Sequence, residues 1–157
     1  MTKIIMLIII IALVITFFVR KNANTQAAKI NAIKAEEFLA QNKQVEGVIE
    51  TASGLQLLVL TEGTGDAHPT ADSNVKVHYH GTLLDGTVFD SSVQRNTPID
   101  FGLKRVIKGW SEGLKLMVVG EKTRFFIPAK LAYGDSSAGK ISPGSLLIFD
   151  VELLAIK

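Results

Sequence analysis

The sequence predicts an α+β fold: an antiparallel sheet of about five strands wrapped round one short helix, preceded by an apolar N-terminal helix and a spacer helix. Three observations predict it. Val75, Val77, Tyr79 and Gly81 alternate with Lys76, His78, His80 and Thr82, the period of two expected of a half-buried strand. Trp110, Gly113, Leu114 and Met117 recur at i, i+3, i+4 and i+7, one buried helical stripe. Ile4 to Val19 is apolar except for Thr16 and stands apart from the rest.

That first run holds sixteen residues, about 24 Å of helix against a hydrocarbon core of about 30 Å. It reads as an uncleaved signal anchor over residues 1–21. The competing reading is a cleaved secretory signal with a weak site at Thr25-Gln26-Ala27, although Arg20-Lys21 directly after the run is unusual for one. Residues 22–48 read as a spacer, helical from about Ala27 to Asn42, with a stripe of Ile30, Ile33 or the Lys34 stem, and Phe38. That stripe covers too few heptads to establish a dimer seam, so dimerisation stays open. Gly47 suits a helix end, and the globular domain begins near Ile49.

Within residues 49–157, Gln56–Thr61 is a strand followed by the turn residues Gly63, Gly65 and Asp66. The strand from Val75 runs to Leu83-Leu84 and meets Asp85-Gly86, a hairpin signal, with Val88-Phe89-Asp90 returning. Ser91–Thr97 is irregular and Pro98–Phe101 short and extended. After the helix, Lys122–Ile127 is a strand stopped by Pro128. Ser145–Ile156 is the last strand, with Leu147, Phe149, Val151, Leu153 and Ala155 on one face.

Charge and composition exclude several functions. The net charge of +2 hides a split: residues 1–44 carry +4 and residues 45–157 carry −2. A mildly acidic domain gives no nucleic-acid footprint. With no cysteine there is no disulfide, thiolate chemistry or Cys-based zinc site. His78 and His80 share one strand face, but no third ligand stands near them in sequence, so they read as surface histidines and no metal or cofactor is expected.

The segment Val75–Gly134 holds the only Trp, both Tyr and four of the eight Phe, spread over several short elements. Aromatics placed this way suit the walls of one apolar pocket. The plainer readings are core for Trp110 and Phe149, a turn or cap for Asp90, and a turn for Tyr133-Gly134.

Val77-His78-Tyr79-His80-Gly81, Phe89-Asp90-Ser91-Ser92, Val106-Ile107-Lys108-Gly109-Trp110, Ala132-Tyr133-Gly134 and Leu147–Leu153, in this order and spacing, resemble the FKBP-type peptidyl-prolyl cis-trans isomerases. The likeness covers about Gly54–Lys157. Ala35–Lys43 through Thr51–Gln56 is similar to the bacterial, surface- or periplasm-associated branch. The resemblance implies rotation of X-Pro bonds in exported or membrane proteins. It implies catalytic roles for Asp90, Tyr133 and Phe149, and substrate contacts from Tyr79, Phe89, Phe101, Val106, Ile107, Trp110 and Ile141. It also implies binding of macrolide inhibitors of the FK506 and rapamycin type. The loop from Tyr133 to Phe149 is about one residue shorter than in familiar members, and Lys140 stands where an apolar residue is common. The second functional expectation is a membrane-tethered chaperone or binding module that holds Pro segments with little isomerase turnover. On location, the charge flanking the run favours a cytoplasmic domain. The resemblance favours a single-pass anchor in the bacterial inner membrane with the domain facing the periplasm; a secreted periplasmic form after cleavage is the remaining alternative.

Overall fold

The computed structural model describes residues 2–157, with side chains from residue 5 onward. A single helix, α1, runs unbroken from Thr2 to Asn42, 41 residues and about 60 Å long. The apolar run and the spacer are therefore one rod, not two helices. The signal was present: no Pro or Gly occurs before Gly47. Gly47, at φ 84°, then turns the chain into the domain.

Seven strands follow, all paired antiparallel. They are β1 Val48–Glu50, β2 Gln56–Thr61, β3 Asn74–Leu83, β4 Val88–Ser91, β5 Ile99–Gly102, β6 Lys122–Ile127 and β7 Leu147–Ile156. Their order is β1-β2-β6-β7-β3-β4, with β5 also on β3. β1 and β5 are the strands beyond the expected five. Both are short edge pieces, and neither shows an alternating pattern of useful length in the sequence. The central helix α2 spans Lys108–Leu114.

β3 buries Val75, Val77, Tyr79 and Gly81 as its alternation requires, and β7 buries Leu147, Phe149, Val151 and Leu153. The alternation of β7 then slips. Lys76 pairs with Ala155 but Val77 pairs with Leu153, so Leu154 is an inserted bulge residue. Ile156, rather than the expected Ala155, therefore packs against the core.

α2 lies on the inner face of this sheet, and two glycines set its distance. A Cβ on Gly113 would meet the Phe125 ring at 2.8 Å, and one on Gly109 would overlap the Ile127 side chain. Trp110 and Leu114 project from the same stripe into the core; Met117 lies just past the helix end, yet is 1% exposed. The outer face is different. Phe126, between two inward residues of β6, points outward and is nevertheless buried, because Phe38 of α1 covers it at a ring-centroid distance of 5.7 Å. Beside it, buried Gln56 accepts from Asn42 Nδ2 at 2.8 Å and donates to the Leu39 carbonyl at 2.9 Å. The face of α1 that docks is Ala28, Asn31, Ala35, Phe38 and Asn42. Ile30 and Ile33, of the apolar stripe read in the spacer, are not on this face and are 52% and 58% exposed. Small and amide side chains dock because the helix approaches backbone and buried polar groups closely, which isoleucine could not satisfy.

Candidate active site

The site begins at β3. Tyr79 is buried on its inner face, and Gly81, two residues on, leaves room where any side chain would collide. A Cβ there would stand 2.7 Å from the Phe89 ring and 2.8 Å from the Phe149 ring. Into that space Phe89 of β4 and Phe149 of β7 pack edge to face, with centroids 5.2 Å apart. Trp110, on the first turn of α2, lies beneath. Its indole meets Tyr79, Phe101 and Phe149 edge-on at 5.2, 5.5 and 5.2 Å. Edge-to-face contacts of this kind hold each ring in place from several sides. The Trp110 N–H is buried without a protein acceptor among the described residues. Such a group costs on the order of 1–3 kcal/mol, which the apolar packing around the indole must offset.

The chain between β5 and α2 makes another wall. Leu103 anchors a single 3-10 turn, Leu103–Arg105, and Val106 and Ile107 follow in extended conformation at the entry to α2. The N–H of Ile107 has no protein acceptor among the described hydrogen bonds. The long connection from β6 to β7 supplies the last wall. Ala138 and Ile141 exchange two backbone hydrogen bonds of 2.9 Å and form a tight hairpin tip with Gly139 at φ 56°.

These pieces enclose an open cavity of about 580 Å³. Tyr79, Phe89, Asp90, Phe101, Val106, Ile107, Trp110, Tyr133, Ile141 and Phe149 all line it, together with Arg105, Ala138, Gly139 and Lys140. The residues singled out in the sequence thus come from β3, β4, β5, β7, α2 and two loops to one cup.

Its polar edge is a three-residue cluster. The Tyr79 hydroxyl donates to Asp90 Oδ2 at 2.5 Å, and Arg95 donates to Asp90 Oδ1 at 2.5 Å and to the Tyr79 oxygen at 3.0 Å. The guanidinium also sits 5.9 Å from the centre of the Tyr79 ring. Partial desolvation opposes ionisation of Asp90, but the Tyr79 hydroxyl and the Arg95 charge outweigh it and hold the carboxyl below its ordinary value. Burial, then the Asp90 hydrogen bond, pushes the Tyr79 phenol up. Asp90 is therefore a fixed anion and Tyr79 a fixed hydroxyl at neutral pH. Arg95 was not apparent in the sequence: it lies in an irregular loop, and only the fold-back of Ser91–Thr97 brings it to Asp90. Tyr133 stands at the rim, 44% exposed.

Outside the cup, His78 Nδ1 contacts Ser92 Oγ at 3.0 Å and His80 Nδ1 contacts Ser91 Oγ at 2.9 Å. Among the described residues no group of three metal-ligating side chains comes together.

A shallow antiparallel half-barrel round one helix, with an aromatic cup over an indole, defines a prolyl-isomerase class of fold and site. The comparisons with known proteins agree: residues 65–154 match the FKBP-type peptidyl-prolyl cis-trans isomerase family, and residues 11–59 match the domain amino terminal to FKBP-type peptidyl-prolyl isomerase. The chain belongs to the FKBP-type peptidyl-prolyl cis-trans isomerase family. It is 58% identical over 127 residues to the FKBP-type peptidyl-prolyl cis-trans isomerase FkpA of Aeromonas hydrophila, covering 81% of this chain and 47% of that protein. The crystal structure of FkpA from Escherichia coli superposes with a TM-score of 0.84 at 38% identity, covering 94% of this chain and 71% of that one. A peptidyl-prolyl cis-trans isomerase structure from Pseudomonas syringae gives 0.76 at 39% identity, covering 83% of this chain and 96% of that one. The chain spans about half the length of the first curated relatives it matches, at 47% of each.

Proposed function

We propose that this protein is a peptidyl-prolyl cis-trans isomerase acting on X-Pro bonds of exported or membrane polypeptides. The observation that carries the reading is the cup itself: five aromatic side chains and an indole-floored cavity of about 580 Å³, large enough for a prolyl ring and its neighbours. The barrier to X-Pro rotation is roughly 18–20 kcal/mol because amide resonance must be broken. Lowering it needs no nucleophile. The planar amide carries charge separation that the twisted one loses, so an apolar enclosure favours the twisted state. In this reading Trp110 lies under the prolyl ring, and Tyr79, Phe89, Phe101, Val106, Ile141 and Phe149 exclude water. The Ile107 N–H and the Tyr133 hydroxyl hold flanking substrate carbonyls. Asp90, kept anionic by Tyr79 and Arg95, presents an acceptor near the twisting carbonyl carbon. The same cup suits macrolides of the FK506 and rapamycin type.

The membrane reading rests on α1. Its N-terminal part is one helix long and apolar enough to cross a membrane, and the searched stretch has none of its apolar window buried in the protein. In our proposal residues 1–21 anchor the chain in the bacterial inner membrane. Residues 22–48 form the spacer and 49–157 the isomerase domain, facing the periplasm. Protease access to the domain in spheroplasts, but not in cells with an intact outer membrane, is the expected result.

Following cis-to-trans relaxation of a Phe-Pro peptide tests the activity. Acceleration above the buffer rate supports it, and a rate equal to buffer with folded protein overturns it. Aggregation suppression that persists in Asp90→Val, while isomerisation is lost, would separate any holding role from turnover.

A further inference from the structure

The long connection between β6 and β7 is closed at its base and bolted to α1. Gly134 N–H donates to the Ala129 carbonyl at 2.8 Å, and Gly144 N–H donates to the Gly134 carbonyl at 2.8 Å. Residues 134–144 therefore form a loop whose ends are clamped together. Its tip, the Ala138–Ile141 hairpin, lines the cup, and Tyr133 precedes its base. The base is where α1 arrives. Asn31 Nδ2 donates to the Pro143 carbonyl at 2.8 Å. Ala28, 7% exposed, lies flat on Gly144, whose φ is 72°. A Cβ on Gly144 would stand 2.5 Å from the Ala28 carbonyl oxygen and 2.8 Å from its Cα. Only glycine permits this approach, on grounds of both space and backbone angle.

We infer that α1 is part of the architecture of the substrate site: Asn31, with Ala28 against Gly144, is a positioning residue that sets where the Ile141 wall and the Tyr133 hydroxyl stand over the cup. This rests on the isomerase reading for its kinetic expression, though the helix-to-loop coupling itself does not. The physical reason is economy of constraint. The loop of residues 132–146 carries no strand pairing beyond one isolated bridge, so apart from the packing of Ala138 and Ile141 on the core and a long Lys140 contact to the Val88 carbonyl, its backbone is placed through its base. Its base has two attachments, to Ala129 from within the domain and to α1 from outside it. Releasing the second leaves the wall free to lean away from a bound prolyl segment, which weakens binding more than it changes the rotation step. α1 also makes a second, remote attachment, Asn42 to Gln56 on the outer face of β2, that touches nothing at the cup. The two attachments allow a matched comparison.

The test uses the full chain in detergent or lipid, comparing Asn31→Ala, Asn31→Asp and Asn42→Ala with wild type. Asn31→Asp keeps the shape but cannot donate to the Pro143 carbonyl. The expected result is a rise in KM for a Phe-Pro peptide of about fivefold in both Asn31 variants, the scale of one neutral hydrogen bond, with kcat within about twofold. Asn42→Ala lowers Tm without moving KM. An unchanged KM in the Asn31 variants, or an equal rise in Asn42→Ala, overturns the proposal. Amide exchange gives a second readout that needs no turnover. The N–H groups of Ala138, Ile141 and Gly144 should exchange faster in Asn31→Ala but not in Asn42→Ala, and equal protection in both overturns the coupling. If wild type shows no turnover at all, the isomerase reading fails while the exchange comparison still decides the coupling.

Discussion

In the proposed mechanism Asp90 is the residue on which the chemistry of the cup turns, and its surroundings dictate how it behaves with pH. Its folded pKa is depressed, so the stability it contributes is present above the unfolded carboxylate value and is lost as pH falls through the folded one. The Tm gap between wild type and Asp90→Asn should hold from neutral pH to about 5 and shrink only below about pH 4. A gap that closed between pH 5 and 7 would contradict the Tyr79 and Arg95 assignment. The ion pair itself is partly exposed, with side-chain exposures of 48% and 44%, and so adds little stability on its own. Its value is orientation. Asp90→Val should lower kcat/KM by about tenfold or more, with a modest Tm loss comparable to that of Asp90→Asn. Gly81→Ala should do similar damage for a different reason, by forcing the Phe89 and Phe149 rings apart.

Among the elements, α2 shows how narrowly the core is fitted. Gly113→Ala places a methyl group against the Phe125 ring, which is fully buried and has nowhere to go. Overpacking of this kind costs roughly 1–3 kcal/mol, so a Tm drop of roughly 5 °C is expected, measured by thermal unfolding of the full chain. What the sequence revealed at this scale follows from periodicity. β3, β7 and the α2 stripe each bury a regular set of residues, β6 is marked by its β-branched and aromatic content, and each was legible. The edge strand β1 was not, because three residues cannot express an alternation, and β5 was legible only as the short extended piece Pro98–Phe101. The bulge at Leu154 was not, because nothing in Leu153-Leu154-Ala155-Ile156 marks which apolar residue steps aside. The docked face of α1 was not legible for a related reason: hydrophobicity marks Ile30 and Ile33, whereas close approach selects Ala28, Asn31, Ala35 and Asn42. The aromatic cup was readable because its members sit in short motifs, and Arg95 was not because an irregular loop has no period to read.

For the whole molecule, the unbroken helix is what joins the apolar run to the cup. Ala28 lies nine residues past Val19, about 14 Å along the helix axis, so a membrane-held run places the domain close to the bilayer surface on a stiff mount. The full chain should therefore sediment with membranes and resist a carbonate wash; release into the soluble fraction would favour cleavage. In the proposed function an apolar aromatic cup lowers the rotation barrier of an X-Pro bond. Exchange spectroscopy on a Phe-Pro peptide, with substoichiometric protein, tests it most directly. The account predicts cis–trans exchange within seconds or faster, where the free peptide takes tens of seconds. Prolyl resonances that shift on binding while exchange stays at the free-peptide rate would contradict it.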